Sequence, residues 1–253
     1  MLNTHPQNRH LVGDFAYVLD SFYLHTNSSD QYVSYCCRNY GIWEEDFTQW
    51  LISNIQEGWK CLDIGFNIGY HAEVLSRLVG KSGKVWAFEP NLELIEKYKE
   101  ARKLNNYENC ADIVMLPIAL SNEDAELNLC IPSRNIGNAS IVSQEEDRPF
   151  GSASDDTFTF QKVQAKRLDS FFNEPVDFIK IDIEGHEPQA WEGFPEIVKN
   201  CPLIVAELGP YHPVEFLQWI KDTYHMSLLN GQETSPEQIL SHPHHLNVVL
   251  RKI

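Results

Sequence analysis

The chain has 253 residues, of which 43% are hydrophobic, 22% charged and 11% aromatic, with 13 glycines and 13 prolines. That is the composition of an ordinary globular protein, which excludes a disordered or fibrous one, and the length suits one core with some elaboration. Twenty Lys and Arg stand against 36 Asp and Glu, a formal charge of -16 that repels phosphate backbones and anionic membrane surfaces, so no nucleic-acid partner is expected.

The first residues, Met1 to Gly13, carry His, Asn, Gln and Pro where a secretion signal needs a basic start and an apolar run. No apolar stretch approaches the 18 residues of a membrane span. Cys36, Cys37, Cys61, Cys110, Cys130 and Cys201 show no CxxC pair and no secreted framework, so they read as reduced thiols in a cytoplasmic protein with no membrane insertion.

In chain order, Phe15, Val18, Leu19 and Phe22 recur at helical spacing and predict a helix laid over the domain. Trp43, Phe47, Trp50, Leu51 and Ile55 predict a second helix that stops at Gly58 and feeds the first strand. Residues 1–50 are accordingly expected to form an N-terminal helical cap. From Lys60 onward, β-rich apolar runs alternate with helical segments, the pattern of a parallel sheet covered on both faces. The expected strands are Lys60 to Ile64, Lys84 to Glu89, Asp112 to Leu120, Val176 to Ile183 and Leu203 to Leu208. Met226 to Leu229 and Leu246 to Leu250 would close the sheet as an antiparallel pair. Gly80 ends one intervening helix and Asn91 caps the next. Between Ser121 and Ser170 the rhythm breaks into alternating runs, Glu126 to Ile131 and Phe158 to Ala165, which predict a β insertion over the ligand crevice.

Three motifs carry chemistry. Cys61-Leu62-Asp63-Ile64-Gly65-Phe66-Asn67-Ile68-Gly69-Tyr70 is a buried strand, a glycine-bearing turn and a helix start, where bare backbone and unpaired N–H groups face a ligand. Its second position is Asn67, so the dinucleotide fingerprint GxGxxG is not met and a nicotinamide cofactor loses ground. Phe88-Glu89-Pro90 puts an acid at the next strand tip, about 20 residues beyond Gly69, where it can accept from a ribose diol. In Lys180-Ile181-Asp182-Ile183-Glu184-Gly185-His186-Glu187, period two puts Lys180, Asp182 and Glu184 on one side. Lys180 is expected to pair with a carboxylate, while Asp182, Glu184 and Glu187 emerge at the ligand-binding edge.

Together these residues resemble the FkbM family of S-adenosylmethionine (SAM)-dependent methyltransferases, of the Rossmann-like class I fold. The likeness runs from Trp43-Glu44 and Thr48 through the Asp63 loop, Phe88-Glu89-Pro90, Ala119-Leu120-Ser121 and Gly137-Asn138-Ala139-Ser140 to the Lys180 motif and Ala206-Glu207. Phe66 stands where the family usually has alanine, and His186 occupies a variable position. The resemblance implies an α/β, doubly wound, mostly parallel fold with a SAM-dependent methyltransferase domain over residues 51–253 and the insertion at about 121–170. It implies that Asp63, Gly65, Asn67 and Gly69 hold the methionine half of SAM, Glu89 the ribose and Ala119 the adenine edge, with Pro90 also among the cofactor-binding residues. It also implies methyl transfer to a hydroxyl, of a sugar, glycan or other polyhydroxylated small molecule. Glu184, Glu187 and His186, in that order, are the candidate general bases, and Asp182 orients the donor or binds a cation. An oxygen-rich set of Asp182, Glu184 and Glu207 suits Mg²⁺, but a hydrogen-bonded acidic rim without metal is the preferred reading.

His242-Pro243-His244-His245 is read as a polar loop into the last strand, Tyr211-His212-Pro213 as a turn with Pro213 at helix position N1, and Gln144-Glu145-Glu146-Asp147 as a solvated loop. The alternatives kept open are a nucleotide-dependent oxidoreductase and a methyltransferase-like binding module without catalysis.

Overall fold

The computed structural model describes residues 2–8, 10–144 and 155–253, so Glu145, Glu146 and Asp147 of the expected solvated loop lie outside the described residues. In chain order these residues form β1 (Leu11–Val12), β2 (Phe15–Val18), β3 (Phe22–His25), α1 (Val33–Tyr40) and α2 (Glu45–Asn54). The alternating region follows with β4 (Lys60–Ile64), α3 (Tyr70–Val79), β5 (Lys84–Phe88), α4 (Leu92–Arg102) and β6 (Asp112–Leu116). Next come β7 (Ala119–Leu120), β8 (Ala125–Pro132), β9 (Ser140–Val142) and β10 (Phe158–Lys166). The chain continues with β11 (Phe178–Ile181), α5 (Glu187–Glu192), α6 (Pro195–Asn200), β12 (Leu203–Leu208), α7 (Val214–Thr223), β13 (Tyr224–Leu228), α8 (Pro236–Ser241) and β14 (Leu246–Lys252).

The main sheet has the order β13-β14-β12-β11-β4-β5-β6. Neighbours from β12 through β6 run parallel; β14 pairs antiparallel with β13, as the loop-like connection predicts, and also with β12. Period two splits the strands between two cores. Cys61, Val85, Phe178 and Val205 face α2, α3 and α4, while Leu62, Trp86, Ile179 and Ile204 face α5, α6 and α7. Strand order reverses between β4 and β11, and the C-terminal ends of those two strands open the crevice where such sheets bind ligands. Among the described residues no helix is long and apolar enough to cross a membrane, and all six cysteines are free thiols.

Two expectations fail for local reasons. Phe15, Val18, Leu19 and Phe22 do not form a helix but the hairpin β2–β3, turned at Leu19 and Asp20, both with positive φ, and closed by Ser21 N–H donating to Val18 O at 3.0 Å. The buried residues alternate, Ala16 and Val18 on one strand and Phe22 and Leu24 on the other, and they join the core of α2 and α3. The N-terminal segment is therefore helical only in α1 and α2. The long strand expected over Asp112 to Leu120 breaks at Pro117, which has no N–H for the ladder, and Ala119 turns away to pair with Ala165 in the small sheet β7-β10-β8-β9. That small sheet is the predicted β insertion.

Candidate functional site

The turn after β4 is shaped by close backbone approach. Gly65 has φ +85°, and a Cβ there would sit 1.8 Å from Asp182 O, so only glycine lets the β4 and β11 tips come together. The N–H groups of Gly65 and Phe66 both donate to Phe88 O, at 3.1 and 3.0 Å. Asn67, also at positive φ, donates its N–H to Glu89 Oε2 at 2.9 Å, and Glu89 Oε1 accepts from Asn91 N–H at 2.9 Å. Burial pushes the Glu89 carboxyl up to about 7.

A cavity of about 630 Å³, counting its open mouth, lies over this turn and is lined by Gly65, Asn67, Glu89, Pro90, Ala119, Asp182, Glu184 and His186. A second, of about 900 Å³ with its mouth, shares Asn67, Gly137, Asp182 and Glu184 with the first. Its other walls are Tyr32, Trp43 and Glu44 from the N-terminal segment, Asn135 and Asn138 from the insertion, Glu207 from β12, and His244 and His245 before β14. The pair makes one crevice with a junction at the tip of β11.

Charge in the junction is organised around Lys180. Its ammonium donates to Gly65 O at 2.7 Å and lies 3.3 Å from Asp182 Oδ2 and 3.5 Å from Asp63 Oδ1. Burial alone would pull its pKa down, but Asp182, Asp63 and Glu44 outweigh it and hold the group protonated. For Asp63 burial wins over Lys180, and the carboxyl rises to about 6. Glu184, in a left-handed backbone conformation, is raised by burial and then by Glu207 and Asp182. Glu207 is raised by burial and then Asp182, to about 8, and accepts from His245 Nδ1 at 2.9 Å, a bond that raises the imidazole. Glu44, left-handed at the start of α2, is lifted to about 7 by burial and Asp182 and held by Asn247 Nδ2 at 2.9 Å.

Of the residues expected to hold a donor, Gly65, Asn67, Glu89, Pro90 and Ala119 line the first cavity. Asp63 does not, since it is wholly buried and turned to Lys180, and Gly69 instead starts α3, its missing side chain making room for Tyr98 and Phe66. Of the expected catalytic group, Asp182, Glu184 and His186 line the crevice, and His186 Nε2 is anchored 3.0 Å from Ser121 Oγ. Glu187 lines neither of the two cavities. It is fully buried, accepting from Ile183 N–H at 2.8 Å and facing His212 Nε2 at 2.9 Å, so it braces the loop. His212 is thus more than a turn residue, and Pro213 sits at the cap of α7, one position before N1. The side chains that converge as possible metal ligands are Glu184, Glu207 and His245, within 4.8 Å of one another, whereas Asp182 is drawn to Lys180.

Glu44, Tyr32 and His245 were not expected at the site. His245 carried a signal in its histidine tract and Glu44 in the Trp43-Glu44 motif, but only the fold shows that both ends of the chain reach the same crevice. The donor set fits a cationic ligand. Asn67 Oδ1 is buried there with no hydrogen-bond partner among the described residues, and the carboxylates exceed the cations available to them.

An open α/β sheet with a glycine turn after its first parallel strand, an acid at the tip of the next, and a crevice at the reversal of strand order defines a Rossmann-like α/β fold of the class I methyltransferase type. The Methyltransferase FkbM domain matches residues 63–227, and the chain belongs to this family. The hexuronic acid methyltransferase AglP of Haloferax volcanii is 24% identical over 195 residues, 75% of this chain and 74% of that protein. Protein-L-isoaspartate O-methyltransferase 2 of Archaeoglobus fulgidus is 43% identical over 61 residues, 24% of this chain, and the match spans only 28% of that relative. The crystal structure of methyltransferase FkbM from Methylobacillus flagellatus superposes with a TM-score of 0.45 at 16% identity, covering 76% of this chain and 43% of that one.

Proposed function

We propose that this protein is a SAM-dependent methyltransferase acting on a hydroxyl of a sugar, glycan or other polyhydroxylated small molecule. The observation that carries the reading is the junction of two cavities at Asn67, Gly137, Asp182 and Glu184, which lets two ligands meet beside half-buried acids. The likeness to a hexuronic acid methyltransferase supports a sugar-type acceptor, and the charge of -16 supports a small acceptor over a phosphate backbone.

SAM, when bound, supplies a methyl group already activated on a sulfonium. The protein's part is to hold, orient and move a proton. Gly65 and Asn67 would hold the donor's amino-acid end, Glu89 would offer its remaining lone pairs to a ribose diol, and Ala119 would meet the adenine edge, with Pro90 in the same cavity wall. Glu89 can do so because its two backbone donors fix the carboxylate without using all its acceptor capacity. With the donor supplying the methyl group and leaving as its neutral thioether, Glu184 is the residue that would take the acceptor's hydroxyl proton. Its raised pKa makes it a stronger base than an exposed glutamate, and His186 is the second candidate. In-line positioning supplies most of the acceleration.

The test is isothermal titration of the full chain with SAM and its demethylated product, in chelator and then with Mg²⁺, with NAD⁺ as control. A screen of hydroxylated acceptors follows. Binding of SAM and product without NAD⁺ is the expected result; binding of neither SAM nor product ends the proposal. Tighter binding on adding Mg²⁺ would make Glu184, Glu207 and His245 a metal site.

A further inference from the structure

The family match begins at residue 63, yet one wall of the second cavity is built entirely from residues before it: Tyr32, Trp43 and Glu44. Tyr32 stands at the start of α1 with half of its surface, 51%, exposed beside the cavity. We propose that this wall is the acceptor subsite, and that it takes an uncharged or amine-bearing sugar ring in preference to a uronate. The proposal rests on the methyltransferase reading above and goes further by assigning the acceptor's class.

Aromatic faces suit a pyranose because the ring presents C–H groups on its face and hydroxyls on its rim, and Tyr and Trp combine an apolar body with a polar tip. A carboxylate beside them accepts from the rim hydroxyls in charge-assisted bonds. Glu44 is preset for this, since Asn247 holds Oε1 and the left-handed backbone at φ +42° turns it into the cavity. The charge of the acceptor follows from what else lines the cavity. Glu44, Asp182, Glu184 and Glu207 are all acids, and among the described lining residues there is no lysine or arginine. The nearest ammonium, Lys180, is 4% exposed and engaged by Gly65, Asp63 and Asp182, and His245 is bonded to Glu207. A uronate would add a further negative charge to a cleft whose carboxyls are already crowded enough to hold protons, with no lysine or arginine to meet it and only the exposed His244 imidazole at the rim, which is discrimination against a further carboxylate. This sets the chain apart from a relative whose name specifies hexuronic acid.

The experiment uses the full chain, radiolabelled SAM, and methyl glycosides, amino sugars and uronates of glucose, galactose and mannose configuration. Expected is kcat/KM at least about tenfold higher for neutral or amino members than for the matching uronate. Tyr32→Ala should raise the acceptor KM about tenfold with product affinity unchanged. Glu44→Gln should narrow the discrimination against uronates. Preference for uronates overturns the proposal, as do variants with wild-type acceptor KM and wild-type discrimination, or a protein that binds demethylated SAM yet methylates none of the probes. Loss of demethylated-SAM binding by the wild type would instead remove the underlying methyltransferase reading, before any sugar is added.

Discussion

Glu89 and Glu184 are both acids near strand tips, but their partners give them different work. Glu89 is fixed by two backbone N–H groups beside the first cavity, so under the proposed function Glu89→Ala should weaken binding of demethylated SAM about 10- to 100-fold in calorimetry, the size of one or two charge-assisted hydrogen bonds. Glu184 faces both cavities, so Glu184→Gln should leave that affinity within a few-fold and lower kcat by about 10²- to 10⁴-fold, measured with whichever acceptor is turned over. The reverse pattern would exchange their roles. Glu187 belongs to neither class. Glu187→Ala strands the Ile183 N–H and the His212 ring, each buried donor at about 1–3 kcal/mol, and urea unfolding should register a loss of that order. Here the sequence was ambiguous for a physical reason: period two says which acids share a side, but not that β11 ends at Ile181 and the chain then turns at Glu184 and Gly185, both at positive φ, before Glu187 enters α5.

At the scale of elements, the β4 and β11 tips meet through Gly65 with no room for a side chain. Gly65→Ala should lower the melting temperature and abolish product binding, because relief requires the Asp182 backbone to move. Gly231→Ala separates the two contributions. Gly231 has nearly the same φ, +84°, but open space where its Cβ would go, so that variant should lose only about 1–3 kcal/mol of strain in denaturant melts and keep full product binding. The parallel strands were legible because buried β-rich runs bounded by caps have few other solutions, and Lys60–Ile64 and Leu203–Leu208 fall where expected. The hairpin was not. Apolar residues at 15, 18, 19 and 22 satisfy a helical period and also two alternating strands around a turn, and the deciding fact, positive φ at Leu19 and Asp20, comes without a glycine to announce it. Nor does periodicity register that Pro117 moves Ala119 from one sheet to another, although that step carries Ala119 to the wall of the first cavity.

For the molecule as a whole, the site is a reservoir of frustrated charge. Glu44 and Glu89, raised to about 7, and Glu207, raised to about 8, bind protons more tightly folded than unfolded. Their contribution to stability is therefore complete below about 4.5 and lost as pH rises through 7 to 8. The melting temperature of the ligand-free protein should fall between pH ~5 and ~8.5, and demethylated SAM, with its ammonium, should lessen the fall; a flat or rising profile in scanning calorimetry would contradict the assignment.

The placement of β14 between β12 and β13 has a consequence in time. It is the last strand of the sheet to be synthesised, yet it occupies an interior position and is preceded by His245 and contains Asn247, which holds Glu44. While the chain is still emerging from a ribosome, β12 is an open edge with unpaired N–H and C=O groups, and the acidic crevice lacks one wall. Until those seven residues are in place the β12 edge stays unpaired and Glu44 lacks the amide that holds it, so the second cavity is finished after the first, whose walls all lie earlier in the chain.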